Sequence, residues 1–497
     1  MNTEISRIGT FALALLVALI VATTYWQTWA AGGLAAKQDN AVQRVAQFRV
    51  KRGKIYGPSG HVIFATNVRR KVDGQTFYFR KYPMNNLLAQ IVGYSTQVRN
   101  RTGLEQSQND YLTGTNANLN TVLRTTIDKL KGVTVTGNNL YLTVNTHAQR
   151  VAQDALGQQC GAVFALEPRT GRVLVAASSP SFNLNLAETR TFLRAVGRIK
   201  GNCRPASPLI NRATAARYAP GSSFKVVTAA AALDTGRYTP DSSFYDPGYC
   251  IEYGQRVRNA GDPESPEQFG SLSFATALEH SVNSVFCKVG IALGGRKILE
   301  YAKRFGFYSL PPLEIPQSEL TISGLYNGGK LFFPKRDSQV DPGRLAFGQE
   351  RLDVTPIQMA MVAAGVANHG VVMKPYVVDR IEQPNGSIVT RTRPHVFSRA
   401  IKRKTADELT AMMELVVTGG TGTRAAISGV RVAGKTGTAE TVTSGINTTW
   451  FICFAPADHP RAAVAVVLQN QTGYGGSTAA PIARSVLQAL LGISSNS

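Results

Sequence analysis

Acidic residues are scarce in this chain: Asp plus Glu number 31 against 54 Lys plus Arg in 497 residues, an excess of 23 positive charges. Such a balance suits an anionic neighbourhood such as nucleic acid, a lipid surface or a negatively charged cell envelope. Nucleic acid is excluded as the main partner, because the charge is spread out and there is no zinc-ligand spacing, RNA-binding aromatic signature or long basic helix. The six histidines are scattered without metal spacing, so no metal or other cofactor is expected. Cysteine is also sparse. Cys160, Cys203, Cys250, Cys287 and Cys453 are too few for a disulfide scaffold and show no C-x-x-C pattern. An exported chain could still form two bridges. Cys453, inside the strand-like Trp450-Phe451-Ile452-Cys453-Phe454, reads as a buried apolar residue. The expected pairs are Cys160 with Cys203 and Cys250 with Cys287, one of the three pairings that four cysteines allow.

What is present bounds the answer further. A hydrophobic content of 43% is ample for two or three folded domains. Gly9 to about Trp26 carries no charge and is long enough to cross a bilayer, with Tyr25, Trp26 and Trp29 where an interfacial aromatic belt would lie. Residues 1–30 are therefore expected to be an anchor. A cleaved signal peptide is the competing reading, since Ala30, Ala31 and Gly32 could serve a peptidase. Arg7 stands against Lys37, Arg44, Arg49, Lys51 and Arg52, and counting positive charge does not settle the orientation.

The stretch Tyr218-Ala219-Pro220-Gly221-Ser222-Ser223-Phe224-Lys225, followed by the helix-forming run Val226 to Leu233, places Ser222 in the first turn of a helix with Lys225 on the same face. A serine hydroxyl is a poor nucleophile unless it has a base nearby and N–H groups aimed at the developing charge. Alone, Ser-x-x-Lys is a common accident. Two later stretches change that: Ser281-Val282-Asn283 inside a helical pattern from Phe274 to Leu293, and Lys435-Thr436-Gly437-Thr438 beside strand-like sequence. In this order the three resemble the motif set of penicillin-binding proteins and class A β-lactamases.

The resemblance extends through Leu209-Ile210-Asn211-Arg212-Ala213, Gly348-Gln349, Thr355-Pro356-Ile357-Gln358-Met359-Ala360 and Trp450-Phe451, covering roughly residues 150 to 490. Arg52 to Gly60, Tyr94-Ser95, Gly103-Leu104-Glu105 and Tyr111-Leu112-Thr113-Gly114 are similar to the entry sequence of class B members, the monofunctional D,D-transpeptidases, and the chain looks most like the actinobacterial penicillin-binding-protein-A type. A glycan-polymerising domain would need more chain than precedes the motifs. The resemblance implies an α+β fold: an anchor, a small mixed pedestal domain over 31–145, and a transpeptidase domain over 146–497 whose antiparallel sheet is flanked by helices.

It also implies roles. Ser222 would be the nucleophile, Lys225 its base, Ser281 and Asn283 the extension of the proton path and the support of Lys225, and Lys435 the positive charge near the substrate carboxylate. Thr436, Gly437 and Thr438 would bind substrate, and the backbone N–H groups of Ser222 and Thr438 would form the oxyanion hole. The implied partners are peptidoglycan stem peptides ending in D-Ala-D-Ala, β-lactams, the membrane and a polytopic glycan polymerase, with the catalytic part outside the cytoplasm. Ser281 and Asn283, two apart on a helix, would not face the same way.

Between the motifs, Gly161 to Ala177 reads as a hairpin turning at Pro168-Arg169-Thr170-Gly171. The polar stretch 181–208 reads as mobile, 241–271 as loop, 313–342 as irregular, Val430 to Ala433, Trp450 to Ala455 and Ala462 to Asn470 as strands, and Ala479 to Leu491 as a closing helix. One rival is an NTPase, because Gly429 to Thr436 fits the Walker A pattern letter for letter; its flanks are wrong, with strand-like sequence where a loop is needed and poor helix formers after the lysine. A D,D-carboxypeptidase, a β-lactamase or β-lactam sensor, and an inactive envelope scaffold also share the motifs; no residue for a deacylating water is evident.

Overall fold

The computed structural model describes residues 2–25, 48–97, 99–116, 126, 134–260, 266–441 and 443–494. Asn2–Tyr25 is one helix. Its segment Ser6–Tyr25, of mean hydropathy 2.2, is not buried by the fold and is long and apolar enough to span a bilayer. Trp26, Trp29 and the small residues at 30–32 lie outside the described residues, as does the polar stretch from Leu34 up to residue 47.

The central sheet has five antiparallel strands in the order Ala433–Glu440, Asn447–Ala455, Ala462–Gln471, Gly161–Leu166 and Val173–Ser179. Its near-continuous apolar strands follow from burial on both faces, and alternation decides which side each residue serves. Trp450, Ile452, Phe454, Ala162, Phe164 and Leu166 pack into the core shared with the buried helix Pro356–Ala367. Phe451, Cys453, Val163 and Ala165 face the opposite layer, made by the helices Thr146–Leu156 and Gly475–Leu491. Pro356 at the first position and a Thr355 hydroxyl accepting from Gln358 N at 3.4 Å start the buried helix. The expected hairpin is present, as are both expected disulfides; Cys453 is buried and free.

Several expectations need correction. Within 181–208, Leu184–Glu188 and Phe192–Gly197 are short helices anchored by the buried Phe192, which contacts Phe182 and Tyr94. Within 241–271, Ser243–Asp246 pairs with Gly270–Ser273, and Tyr249–Glu252 with Gln255–Arg258. Within 313–342, Gly324–Asn327 pairs with Lys330–Phe332. Strands of three or four residues flanked by Gly and Pro have too short a period to stand out from loop. Val430 precedes the strand, which begins at Ala433 and runs straight through Lys435-Thr436, so no phosphate-binding loop exists there.

A six-stranded sheet lies below, in the order Ile388–Arg391, Val378–Glu382, Asn139–Leu142, Ile55–Tyr56, Ile63–Val72 and Gln75–Lys81. Two of its strands arrive from beyond the serine motif. Beside it the carboxylate of Glu105 is fully buried between two guanidinium groups, accepting from Arg52 Nη2 at 2.8 Å and Arg80 Nε at 2.6 Å. Burial raises its pKa, but the charges of Arg80 and Arg52 and their hydrogen bonds win, leaving the carboxyl below its ordinary value. The stability it contributes is present above the unfolded carboxyl pKa and is lost as pH falls through the depressed folded one. Glu105→Gln, which leaves two buried cations without their counter-ion, should cost about 3–5 kcal/mol in urea denaturation. An unchanged midpoint would remove this triad from the account.

Candidate active site

Ser222 does not sit in an α-helical turn but in a 3-10 turn, Gly221–Phe224, which feeds directly into the α-helix Lys225–Asp234. The turn is pressed against the edge strand Ala433–Glu440. Gly221 has φ +51°, and a Cβ there would run into the Thr438 carbonyl oxygen. A Cβ on Gly437 would lie 2.7 Å from Pro220 O and 3.0 Å from Ser223 N. Only glycine permits both approaches. Gly437 thus has a packing role against the serine turn. Trp450 Nε1 donates to Ala219 O at 3.0 Å, and Tyr218 exchanges backbone hydrogen bonds with Val354 at 2.9 Å each, which holds the approach to the serine from two sides.

Lys225 is fully buried, and its ammonium group is met from across the site. Nζ donates to Ser281 O at 2.6 Å, Ser281 Oγ at 3.2 Å and Asn283 Oδ1 at 2.7 Å. A single helix from Phe274 to Leu293 could not arrange this, and the structure has none. The helix Phe274–Glu279 stops, Ser281 takes φ +61°, and a second helix, Asn283–Leu293, begins. The break brings Ser281 and Asn283 to the same amine. Asn283 Nδ2 donates to Arg258 O at 3.0 Å, which orients its oxygen toward the lysine. The Cys250–Cys287 disulfide ties the hairpin carrying Arg258 to the helix carrying Asn283.

Burial in the first place, and the charge of Lys435 in the second, hold the Lys225 amine well below its ordinary pKa. Phe286 and Phe347 face it, with ring centroids 5.2 and 5.9 Å from Nζ. Lys435 is also fully buried, and burial pulls it down to about 7. Its Nζ reaches Thr436 O at 3.1 Å and Thr436 Oγ1 at 3.3 Å. Strand pleating divides the third motif. Lys435 and Gly437 pair with Ile452 and Trp450 on the serine side, whereas Thr436 Oγ1 meets Thr421 Oγ1 at 2.6 Å and Thr438 Oγ1 accepts from Gly475 N at 3.2 Å on the other. A half-buried hydroxyl with two lowered amines close by is an arrangement suited to acyl transfer through a covalent ester.

Residues 161–488 match the family model of the penicillin binding protein transpeptidase domain, and residues 52–140 that of the penicillin binding protein A dimerisation domain. The chain belongs to the penicillin-binding protein transpeptidases. It is 32% identical to the peptidoglycan D,D-transpeptidase PbpA of Mycolicibacterium smegmatis over 513 aligned residues, covering 99% of each chain. It is 33% identical to the protein of that name in Mycobacterium tuberculosis, again over 99% of both. The ceftriaxone acyl-enzyme complex of penicillin-binding protein A from M. tuberculosis superposes with a TM-score of 0.80 at 31% identity, covering 90% of this chain and 100% of that one.

In this transpeptidase all three motifs converge, while Glu440 ends the strand exposed. Sequence reasoning missed Thr421, Arg258 and the two phenylalanines, none of which lies in a motif. Trp450-Phe451 reads in the sequence as strand and as part of the familial resemblance, whereas the indole N–H bond to Ala219 has no signature there. Gly437→Ala should cost about 1–3 kcal/mol by overpacking the serine turn. The same variant should slow covalent labelling by a fluorescent penicillin; labelling at the wild-type rate would show that the close approach is dispensable.

Proposed function

We infer that this chain is a serine D,D-transpeptidase that cross-links peptidoglycan stem peptides and is acylated by β-lactams. The observation that carries this is the convergence of Ser281 O and Asn283 Oδ1 on a buried, low-pKa Lys225 three residues after Ser222. Ser222 Oγ attacks the carbonyl of the penultimate D-alanine, Lys225 takes its proton and returns it to the departing D-alanine amine, and an ester remains on Ser222. The amine of a second stem peptide then attacks that ester and frees the serine. Ser281 and Asn283 keep Lys225 in place and extend the proton path. The backbone N–H groups of Ser222 and Thr438 receive the oxyanion, and Lys435 supplies charge for the terminal carboxylate, which the Thr436 and Thr438 hydroxyls, lying on the other face of this edge strand, meet around its open edge. In a β-lactam the amide bond that breaks is in the ring, so the leaving group stays attached and the ester persists.

The apolar helix Ser6–Tyr25 serves as a single-pass anchor, and the remainder lies outside the cytoplasm. Two disulfides in a chain of this size fit an oxidising compartment. A polytopic glycan polymerase is the membrane partner the family likeness implies.

Purified chain given a D-Ala-D-Ala donor and an amine acceptor should release D-alanine and form a cross-linked product, whereas release without cross-linking would mark a carboxypeptidase. Ser222→Ala should take no fluorescent penicillin, and label persisting there would refute the assignment. Lys225→Met should slow acylation by roughly 10²–10⁴-fold, the ordinary contribution of a general base. The base is active only when neutral, so acylation should rise with pH through the lowered Lys225 pKa. Removing the neighbouring charge in Lys435→Met raises that pKa and should move the acidic limb of the acylation profile to higher pH. An unmoved limb would mean the two amines are not coupled.

A further inference from the structure

Among the described residues one buried carboxyl oxygen lacks a hydrogen-bond donor, Glu252 Oε2. Glu252 closes the strand Tyr249–Glu252 and is only 7% exposed. Its Oε1 accepts from Gly343 N at 2.8 Å, in the first turn of the short helix Pro342–Ala346. A Cβ on Gly343 would overlap Oε2 and press on Cys287 Sγ, so glycine is what lets the carboxyl in. Facing Glu252 is a second acid, Asp341, whose carboxyl is in hydrogen-bond contact with it.

Two ionised carboxylates in contact out of water repel each other, and one proton held between them relieves both. The other charges around the pair are engaged elsewhere or add to the repulsion. Asp341 Oδ1 caps the helix by accepting from Arg344 N at 2.8 Å, and Arg344 Nε stands 3.5 Å from Oδ2. On the helix Asn283–Leu293, Lys288 Nζ donates to Tyr245 O at 2.6 Å, and on the facing strand the Arg256 guanidinium lies over the Tyr249 ring. At the hairpin turn Tyr253 meets Glu252, Asp341 and a third acid, Glu350, which is paired with Arg351. Burial first, and the contact with Asp341 second, raise the Glu252 carboxyl to about 8, against the pull of the Gly343 and Arg344 N–H groups. A shared proton supplies what Oε2 lacks.

The pair joins the two segments that hold Lys225. The hairpin ends at Arg258, whose carbonyl accepts from Asn283 Nδ2 at 3.0 Å, and Asn259, whose Oδ1 accepts from Ser284 N at 2.9 Å. The helix Pro342–Ala346 runs on into Phe347, whose ring centroid is 5.9 Å from Lys225 Nζ, and Gly348, whose carbonyl accepts from Gly221 N at 3.3 Å beside the nucleophile. We propose that Glu252 is a positioning residue of the transpeptidase reaction: it shares one proton with Asp341, and that proton closes the clamp that keeps Asn283 and Phe347 against Lys225. This rests on the transpeptidase reading above. A carboxyl that merely packs is the alternative, and it predicts the same effect of a substitution at every pH.

The test uses full-length protein in detergent, as wild type, Glu252→Gln and Asp341→Asn, between about pH 6 and about pH 9.5. Either amide keeps the shape and gives the pair a donor that does not titrate. Acylation by benzylpenicillin is read at each pH as the ratio of variant to wild type, in which the titrations of Lys225 and Lys435 common to both cancel. The ratio should climb through about 8, by up to about tenfold for each pH unit beyond, as the wild type loses its shared proton. Melting gives a second reading that needs no substrate. With the folded pKa raised, the stability from the protonated pair is full below the ordinary carboxyl range and is lost as pH rises through the folded value, so the wild type should lose melting temperature against both variants over that range. A ratio flat with pH, or melting temperatures that stay parallel, overturns the proposal. So does a wild-type profile that moves with EDTA or added calcium, which would put a cation where the proton is placed. Wild type that takes no penicillin at any pH strikes the transpeptidase reading, and the positioning role with it, while the melting comparison still decides whether Glu252 and Asp341 share a proton.

Discussion

Two lysines buried in one cleft are the constraint on which the rest depends. Taking an ammonium group out of water costs several kcal/mol, and setting two side by side adds repulsion. The fold answers this for Lys225 by giving it three oxygen acceptors, two of them from a loop with an unusual backbone conformation, and for Lys435 by leaving it the carbonyl and hydroxyl of its own neighbour. Burial lowers both pKa values, helped at Lys225 by the charge of Lys435, and among the described residues no carboxylate forms an ion pair with either lysine to oppose it. A carboxylate beside Lys225 would stabilise its charged form and raise that pKa.

This reasoning explains the glycines and the aromatic residues as well. The serine turn must lie close enough to the edge strand that side chains at 221 and 437 would collide with backbone, while Trp450 reaches past both to hold Ala219. The dry wall around Lys225 comes from Phe286 and Phe347, which supply low dielectric and a ring face for whatever charge remains. The lowered pKa of the Lys225 amine is thus a property of packing more than of any single partner.

The three motifs and the central sheet were legible in the sequence because each is local: Ser-x-x-Lys, Lys-Thr-Gly and long apolar strands announce themselves within a few residues. The break at Ser281 was not. Positive φ in a serine leaves no compositional trace, and the apolar pattern from Phe274 to Leu293 continues across it as if one helix ran through. Helical geometry had argued that Ser281 and Asn283 face apart, and the break is how both come to serve one amine. The short strands within 241–271 went unread for a different reason: at four residues each, flanked by Gly and Pro, they are too short for a period to show. Thr421 could have been found only by knowing which loop returns to the strand edge.

The six-stranded sheet is built from two distant parts of the chain. Strands from 55–142 are completed by Val378–Glu382 and Ile388–Arg391, and Asn139–Leu142 is flanked on one side by an early strand and on the other by a late one. Such interleaving sets a limit on how proteins of this architecture diversify. The lower part cannot be exchanged by recombination as a self-contained cassette, because the incoming piece would have to offer hydrogen-bonding edges matched to a ribbon encoded more than two hundred residues downstream. Inheritance of the pair as one unit follows from strand order alone, before any selection on catalysis is considered.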